Sequence, residues 1–197
     1  MAIRPLRFVL TALVALGAST PLFAQGLALD SARVTLNGTS NVHAWTAVSD
    51  AVTLTTVKVA AADGDVFDAA MKPGGLEAFE ISIPVTSVKS PKGDLDKNMH
   101  KALMAEKHPA ITFALSRLEP GAAPDTYTAT GVLTIAGTAK EVPLALTVAR
   151  TGAGLKVTGS APLVMTEFGV VPPKAMLGML KTDPKVTVTF EALLQTR

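Results

Sequence analysis

The sequence predicts an all-β protein, an antiparallel β-barrel of about eight strands with one or two short helices. Three observations carry this expectation. Apolar and polar residues alternate with a period of two along most of the chain, the pattern of strands with one dry and one wet face. The breaks between these runs are short and hold turn residues, which leaves no room for crossover helices. Only two segments, Leu95–Phe113 and Val164–Asp183, depart from the alternation.

The first 24 residues read as a secretory leader. Arg4 and Arg7 form a basic start, Phe8–Gly17 is an apolar run too short to span a bilayer comfortably, and Ala18–Ala24 turns small and more polar, with cleavage expected after Ala24. The expected domain is then residues 25–197. The leader carries two of the 18 basic residues and none of the 16 acidic ones, so the remainder is electrically balanced. That balance argues against a nucleic-acid surface or a polybasic membrane patch. The chain has no cysteine, which excludes thiol chemistry, Cys-ligated metals and disulfide staples. Its stability must come from the core.

The strands follow in order. Val34 and Leu36 share a face, as do Val52 and Leu54. Val57 and Val59 then continue in the opposite phase, which places a bulge near Thr55-Thr56. Phe79, Ile81, Ile83 and Val85 make one apolar face, and Ile111, Phe113 and Leu115 another. Leu133 and Ile135 follow, then Val142, Leu144, Leu146 and Val148, then Leu155 and Val157, and finally Val186, Val188 and Phe190. Gly121–Asp125 and Thr151–Gly154 read as hairpin loops. One wet face on nearly every strand excludes a parallel sheet covered on both sides. Such strands bury their dry faces against a second sheet or inside a barrel of lipocalin size, which also removes exposed edges. An immunoglobulin-like sandwich is the competitor, but it needs no inserted helix and its Cys-Trp-Cys hallmark is missing.

In the first exceptional segment, Asp94 is the expected N-cap, and Leu95, Met99, Ala102 and Leu103 form one helical apolar stripe that Pro109 ends. In the second, Phe168, Met176 and Met179 lie in an irregular stretch, with a helical turn or two expected over about Lys174–Leu180. Five of the six methionines beyond the leader fall in these two segments. Methionine adapts to variable apolar partners, although it also serves as ordinary core.

No catalytic motif stands out. His43, His100 and His108 lack metal-ligand spacing, and there is no HExxH, no G-x-S-x-G and no Gly-rich phosphate loop. His43 and Trp45, two residues apart, are expected on one strand face, where they would meet a ligand head group or each other. No catalytic residue, metal or cofactor is expected.

Four blocks in order, GTSNVHAWT, SVKSPKGDLDKNMHKALMAEKHPAITF, GVLTIAGTAKEVPLAL and FGVVPP, resemble the YceI-like family. The resemblance covers essentially the whole chain after the leader. It implies an exported bacterial protein with a lipocalin-like barrel holding a polyisoprenoid or related amphiphile. In the family pattern Pro109, Ile111 and Phe113 open a strand after the helix, and Gly131–Leu146 is a hairpin turning at Gly137–Lys140. The expected function is therefore that of a periplasmic, non-enzymatic binding or carrier protein. Its interior wall would be Phe79, Ile81, Ile83, Met99, Leu103, Ile111, Phe113, Leu133, Ile135, Phe168, Met176, Met179, Val188 and Phe190, with His43 and Trp45 toward the head group. A packed-barrel interaction or stress-related protein without a lipid is the alternative, and a histidine enzyme the third class. A membrane redox partner and a homodimer are left open.

Overall fold

The computed structural model describes residues 26–61, 64–152, 154–175 and 179–197. The expected leader, Met176 and Leu177 lie outside the described residues. The elements are β1 (Leu27–Ser40), β2 (Ala44–Ser49), β3 (Thr53–Val59), α1 (Val66–Met71), β4 (Leu76–Pro84), α2 (Gly93–Ala102), β5 (Ala110–Pro120), β6 (Thr126–Ile135), β7 (Thr138–Thr151), β8 (Gly154–Val164), β9 (Lys174–Ala175) and β10 (Leu180–Thr196), with short 3-10 turns at Val85–Ser87 and Met165–Phe168.

The all-β class holds. Nine strands run in the order β2-β1-β10-β8-β7-β6-β5-β4-β3, each antiparallel to its neighbours, and β9 pairs with β10 beside this path. The sheet curls until β1 meets β3, the shape of a lipocalin-like barrel. Among the described residues no ladder joins β2 to β3. Instead the free edge of β2 is bridged by the segment ahead of α2. The Val48 N–H donates to the Lys89 carbonyl at 2.7 Å, and the Lys89 N–H returns to Val48 at 2.8 Å. The phase change in β3 is a bulge, with the register on β4 slipping between Leu54 and Thr56.

Two apolar clusters mark the two ends of the barrel. At one end α2 contributes Met99, followed by Leu103, to a cluster with Ile83, Val85, Val88, Ala136, Phe168 and Val170. At the other, α1 contributes Val66, Phe67 and Ala70, packed on Leu27, Val148, Leu155 and Leu194. Each helix is thus held by apolar burial rather than by its own length, since helices this short are marginal alone.

Four expectations need correction. Asp94 is not the N-cap of α2. Lys92 holds that position without a side-chain cap, because its carbonyl already takes the N–H groups of Leu95 and Asp96. Asp94 falls in the exposed first turn, 3.7 Å from Lys97. The turn between β6 and β7 is Ala136-Gly137 rather than Gly137–Lys140. Ile135 pairs with Thr138, and both turn residues take left-handed backbone, φ 50° and 80°, as a two-residue hairpin of this twist requires. In the stretch read as helical, Lys174–Ala175 is strand β9 on β10, since pairing with an existing strand satisfies the backbone that Pro172 and Pro173 keep out of a helix. His43 does not share a strand face with Trp45. It stands in the exposed hairpin loop before β2, where its carbonyl accepts hydrogen bonds from the backbone and hydroxyl of Ser40 at 2.9 and 2.8 Å.

Helix α1 was not expected. Its signal is local: Asp65 stands ahead of an apolar run bounded by Gly64 and Gly74-Gly75, and its carboxylate caps the N–H groups of Phe67 (2.8 Å) and Asp68 (3.1 Å).

Candidate functional site

Between the two helix-capped ends lies a cavity of about 280 Å³. Strands β1, β2, β4, β5, β6, β7, β8 and β10 contribute to its wall, because residues two apart on each strand face the same way. Of the residues expected in the interior, Phe79, Ile81, Ile83, Met99, Leu103, Ile111, Phe113, Leu133, Ile135, Phe168, Val188 and Phe190 all line it, and so does Trp45. His43 is exposed and outside the wall, and Met179 is 70 % exposed at the rim. The helical stripe of Leu95, Met99, Ala102 and Leu103 faces inward as a unit and forms one end wall. Met71 and Leu76 stand at the α1 end, and the small side chains of Ala129 and Ala161 also line the cavity. None of these four was anticipated, although Ala161 and Ala129 continue the alternation of their strands.

Three of the aromatic rings that line the wall fold back over glycines and so leave the lumen free. Three inward-facing glycines are each covered by a ring from the next strand. A Cβ on Gly38 would stand 2.2 Å from the Trp45 ring, one on Gly131 2.5 Å from Phe113, and one on Gly159 2.4 Å from Phe190. Gly38 pairs directly with Trp45, and Gly159 with Phe190. The glycine leaves the space into which the ring folds back, so the largest side chains hug the sheet instead of crossing the lumen. The Trp45 ring N–H also donates to the Thr39 carbonyl at 3.3 Å, which fixes the indole against β1.

Charge is kept out of the cavity. Arg33 and Glu191 border it, but the Arg33 guanidinium is taken by Asp50 at 2.6 and 2.9 Å, and Glu191 pairs with Lys156 at 2.9 Å, all on the exposed side. Among the described residues every buried side-chain nitrogen or oxygen has a hydrogen-bond partner, and no three His, Asp or Glu side chains are placed to share a metal ion.

The histidines of α2 and its exit are structural in placement. His100 Nε2 lies 2.8 Å from the Val88 carbonyl. The His108 ring covers Gly137, whose absent Cβ would be 2.4 Å from it. One turn before His100, Asp96 is buried and accepts the Ser90 N–H at 2.7 Å. Burial works against its charge, but hydrogen bonding from Ser90, with Lys89 and His100 nearby, outweighs it and holds the carboxyl below its ordinary range. Asp96 and His100 together pin α2 to the segment 88–90 and so set where the end wall stands.

The sequence over residues 28–194 matches the family model of the YceI-like domain. No curated protein sequence matches significantly. Among solved structures, BcnA of Burkholderia cenocepacia is similar with a TM-score of 0.66 at 22% identity, over 83% of this chain and 95% of that one. A polyisoprenoid binding domain from Saccharophagus degradans, implicated in plant cell wall breakdown, is similar with a TM-score of 0.64 at 13% identity, over 88% and 99%. The YCEI protein of Campylobacter jejuni is similar with a TM-score of 0.52 at 16% identity, over 72% and 82%.

Proposed function

Since the chain belongs to the YceI-like domain family, we propose that it is a periplasmic carrier that holds a polyisoprenoid or another long-chain amphiphile inside its barrel and performs no chemistry on it. The observation that carries this reading is the apolar cavity of about 280 Å³, walled by strands with α1 and α2 at its ends. It stands near the lower end of the roughly 300–1,000 Å³ of small-molecule pockets. A wall without free charge favours a hydrocarbon chain. Each buried methylene contributes roughly 0.8 kcal/mol, and ordering the chain offsets part of that gain, so affinity should follow chain length more than branching. The polyisoprenoid binding domain from Saccharophagus degradans is similar in fold and lends the ligand class. The leader read at residues 1–24 supports export to the periplasm. A barrel packed by its own side chains would lack such a cavity, which weighs against the alternative of a lipid-free interaction protein.

The test is extraction. Protein purified from its own host should release a prenyl or acyl lipid into organic solvent, identified by mass spectrometry. The delipidated protein should take up prenyl lipids in a saturable titration. Failure of both would overturn the reading.

A further inference from the structure

Among the described residues, the three most exposed large apolar side chains sit together. Val42 is 68 % exposed, Val171 73 % and Met179 70 %. They belong to one knot at the α2 end of the barrel. The Asn41 side chain donates to the Met179 carbonyl and accepts the Lys181 N–H, both at 2.8 Å, which seats the Val42 loop on the start of β10. The Pro173 carbonyl accepts the Thr182 N–H at 3.2 Å, which brings the strand after Val171 to the same place. Pro173 and Thr182 also line the cavity, so the apolar tips stand where the interior reaches the surface.

The charge of the two ends differs. At the α2 end, residues 85–109 hold five lysines and three carboxylates, and residues 179–185 hold two lysines and one carboxylate. At the other end, residues 119–125 hold two carboxylates and no base. Exposed apolar tips framed by lysines fit an interface that is apolar below and anionic above, which is the boundary of a phospholipid layer.

We propose that the α2 end docks on an anionic lipid surface, with Val42, Val171 and Met179 entering the headgroup region beside the cavity. This rests on the carrier reading in its purpose, which would be to pass the chain between membrane and barrel, but not in its test. The probe is vesicle flotation of the full processed chain with phosphatidylcholine vesicles and with vesicles that also contain phosphatidylglycerol. Binding to the second kind alone is expected, weakened by salt. The triple variant Val42→Ser, Val171→Ser, Met179→Ser should bind at least roughly tenfold more weakly, given the apolar area withdrawn from the interface. Val132→Ser, an exposed valine on β6 outside this knot, should bind like the parent. No binding by the parent, or equal binding by the triple variant, would overturn the proposal. So would sedimentation showing a dimer that the triple variant abolishes. Prenyl-lipid uptake in solution is measured on the same variants. A parent that takes up no prenyl lipid yet binds the vesicles would sink the carrier reading and leave the docking surface standing.

Discussion

Arg150 clamps Asp65. From the last turn-ward residues of β7, its guanidinium donates to both carboxylate oxygens of Asp65, at 2.6 and 3.2 Å, and its carbon lies 4.7 Å from the centre of the Phe67 ring. The same Asp65 caps α1. One side chain therefore both starts the helix and ties it to the barrel, while Phe67 beneath is 3 % exposed in the end cluster. The arrangement secures the wall of the cavity opposite α2.

This geometry has a pH signature. Hydrogen bonding from Arg150, with the capped N–H groups of α1, lowers the Asp65 carboxyl from 3.8 to about 2. A carboxyl depressed in the folded state stabilises it above the unfolded value and loses that contribution as pH falls through the folded one. Asp65→Asn keeps the capping acceptor and removes the charge. The parent should melt a few degrees higher than this variant at neutral pH, with the gap closing between about pH 4 and about pH 2. Thermal melts of both proteins across that range check it. A gap that persists unchanged at the acid end would refute the assignment.

Asp96 does at the other end what Asp65 does at this one, by burial instead of exposure. It is 9 % exposed, and its partner is the Ser90 N–H at 2.7 Å. Asp96→Ala leaves that donor unpaired in a part-buried position, at a cost of about 1–3 kcal/mol. Asp96→Asn retains an acceptor and should cost less. Denaturant unfolding orders the three proteins. Amide exchange in residues 93–103 should rise selectively in the alanine variant, since α2 is held there chiefly by Asp96, His100 and the apolar stripe.

The sheet was legible because alternation records burial directly. Each apolar position from Phe79 to Ile83, and from Val186 to Phe190, faces inward as its phase requires. The end wall was legible too, since the stripe of Leu95, Met99, Ala102 and Leu103 has a helical period. What escaped was set by contacts distant in sequence. Lys92 replaces Asp94 at the helix start because the segment 88–92 is already bonded to β2 and Asp96. Helix α1 is six residues long and leaves little periodicity to read, although its cap at Asp65 was visible. The pairing of Gly38, Gly131 and Gly159 with Trp45, Phe113 and Phe190 depends on strand register, which alternation alone does not provide. Without it, a sequence rich in Val and Leu does not say whether its barrel is full or hollow.

Ala161 offers a direct way to fill the lumen. It is 3 % exposed, lies on β8 and lines the cavity. Ala161→Leu adds three carbons that have only the cavity to enter. Packing strain should cost no more than about 1–3 kcal/mol, because the added volume meets space rather than side chains. Lipid uptake should fall by roughly tenfold or more, as several methylene sites of the ligand are displaced. A folded variant, judged by its melting transition, that takes up prenyl lipid like the parent would show that the ligand lies elsewhere.

The glycine–aromatic pairs give the last test, and it separates two effects that usually travel together. In Gly159→Ala the new methyl would stand 2.4 Å from the Phe190 ring and 2.5 Å from the Ala145 carbonyl oxygen. The carbonyl belongs to the sheet and cannot move far, so the ring must turn off the wall, and the only open direction is the lumen. The variant should lose about 1–3 kcal/mol of stability through overpacking, and it should also lose lipid capacity because Phe190 now occupies the ligand's space. Gly159→Ala combined with Phe190→Leu removes the ring that would swing inward. It should recover uptake while remaining less stable than the parent, because the clash with Ala145 persists. Uptake that stays low in the double variant would mean that distortion of the sheet, and not the displaced ring, closes the cavity. Melting temperature and prenyl-lipid titration on the three proteins distinguish the two.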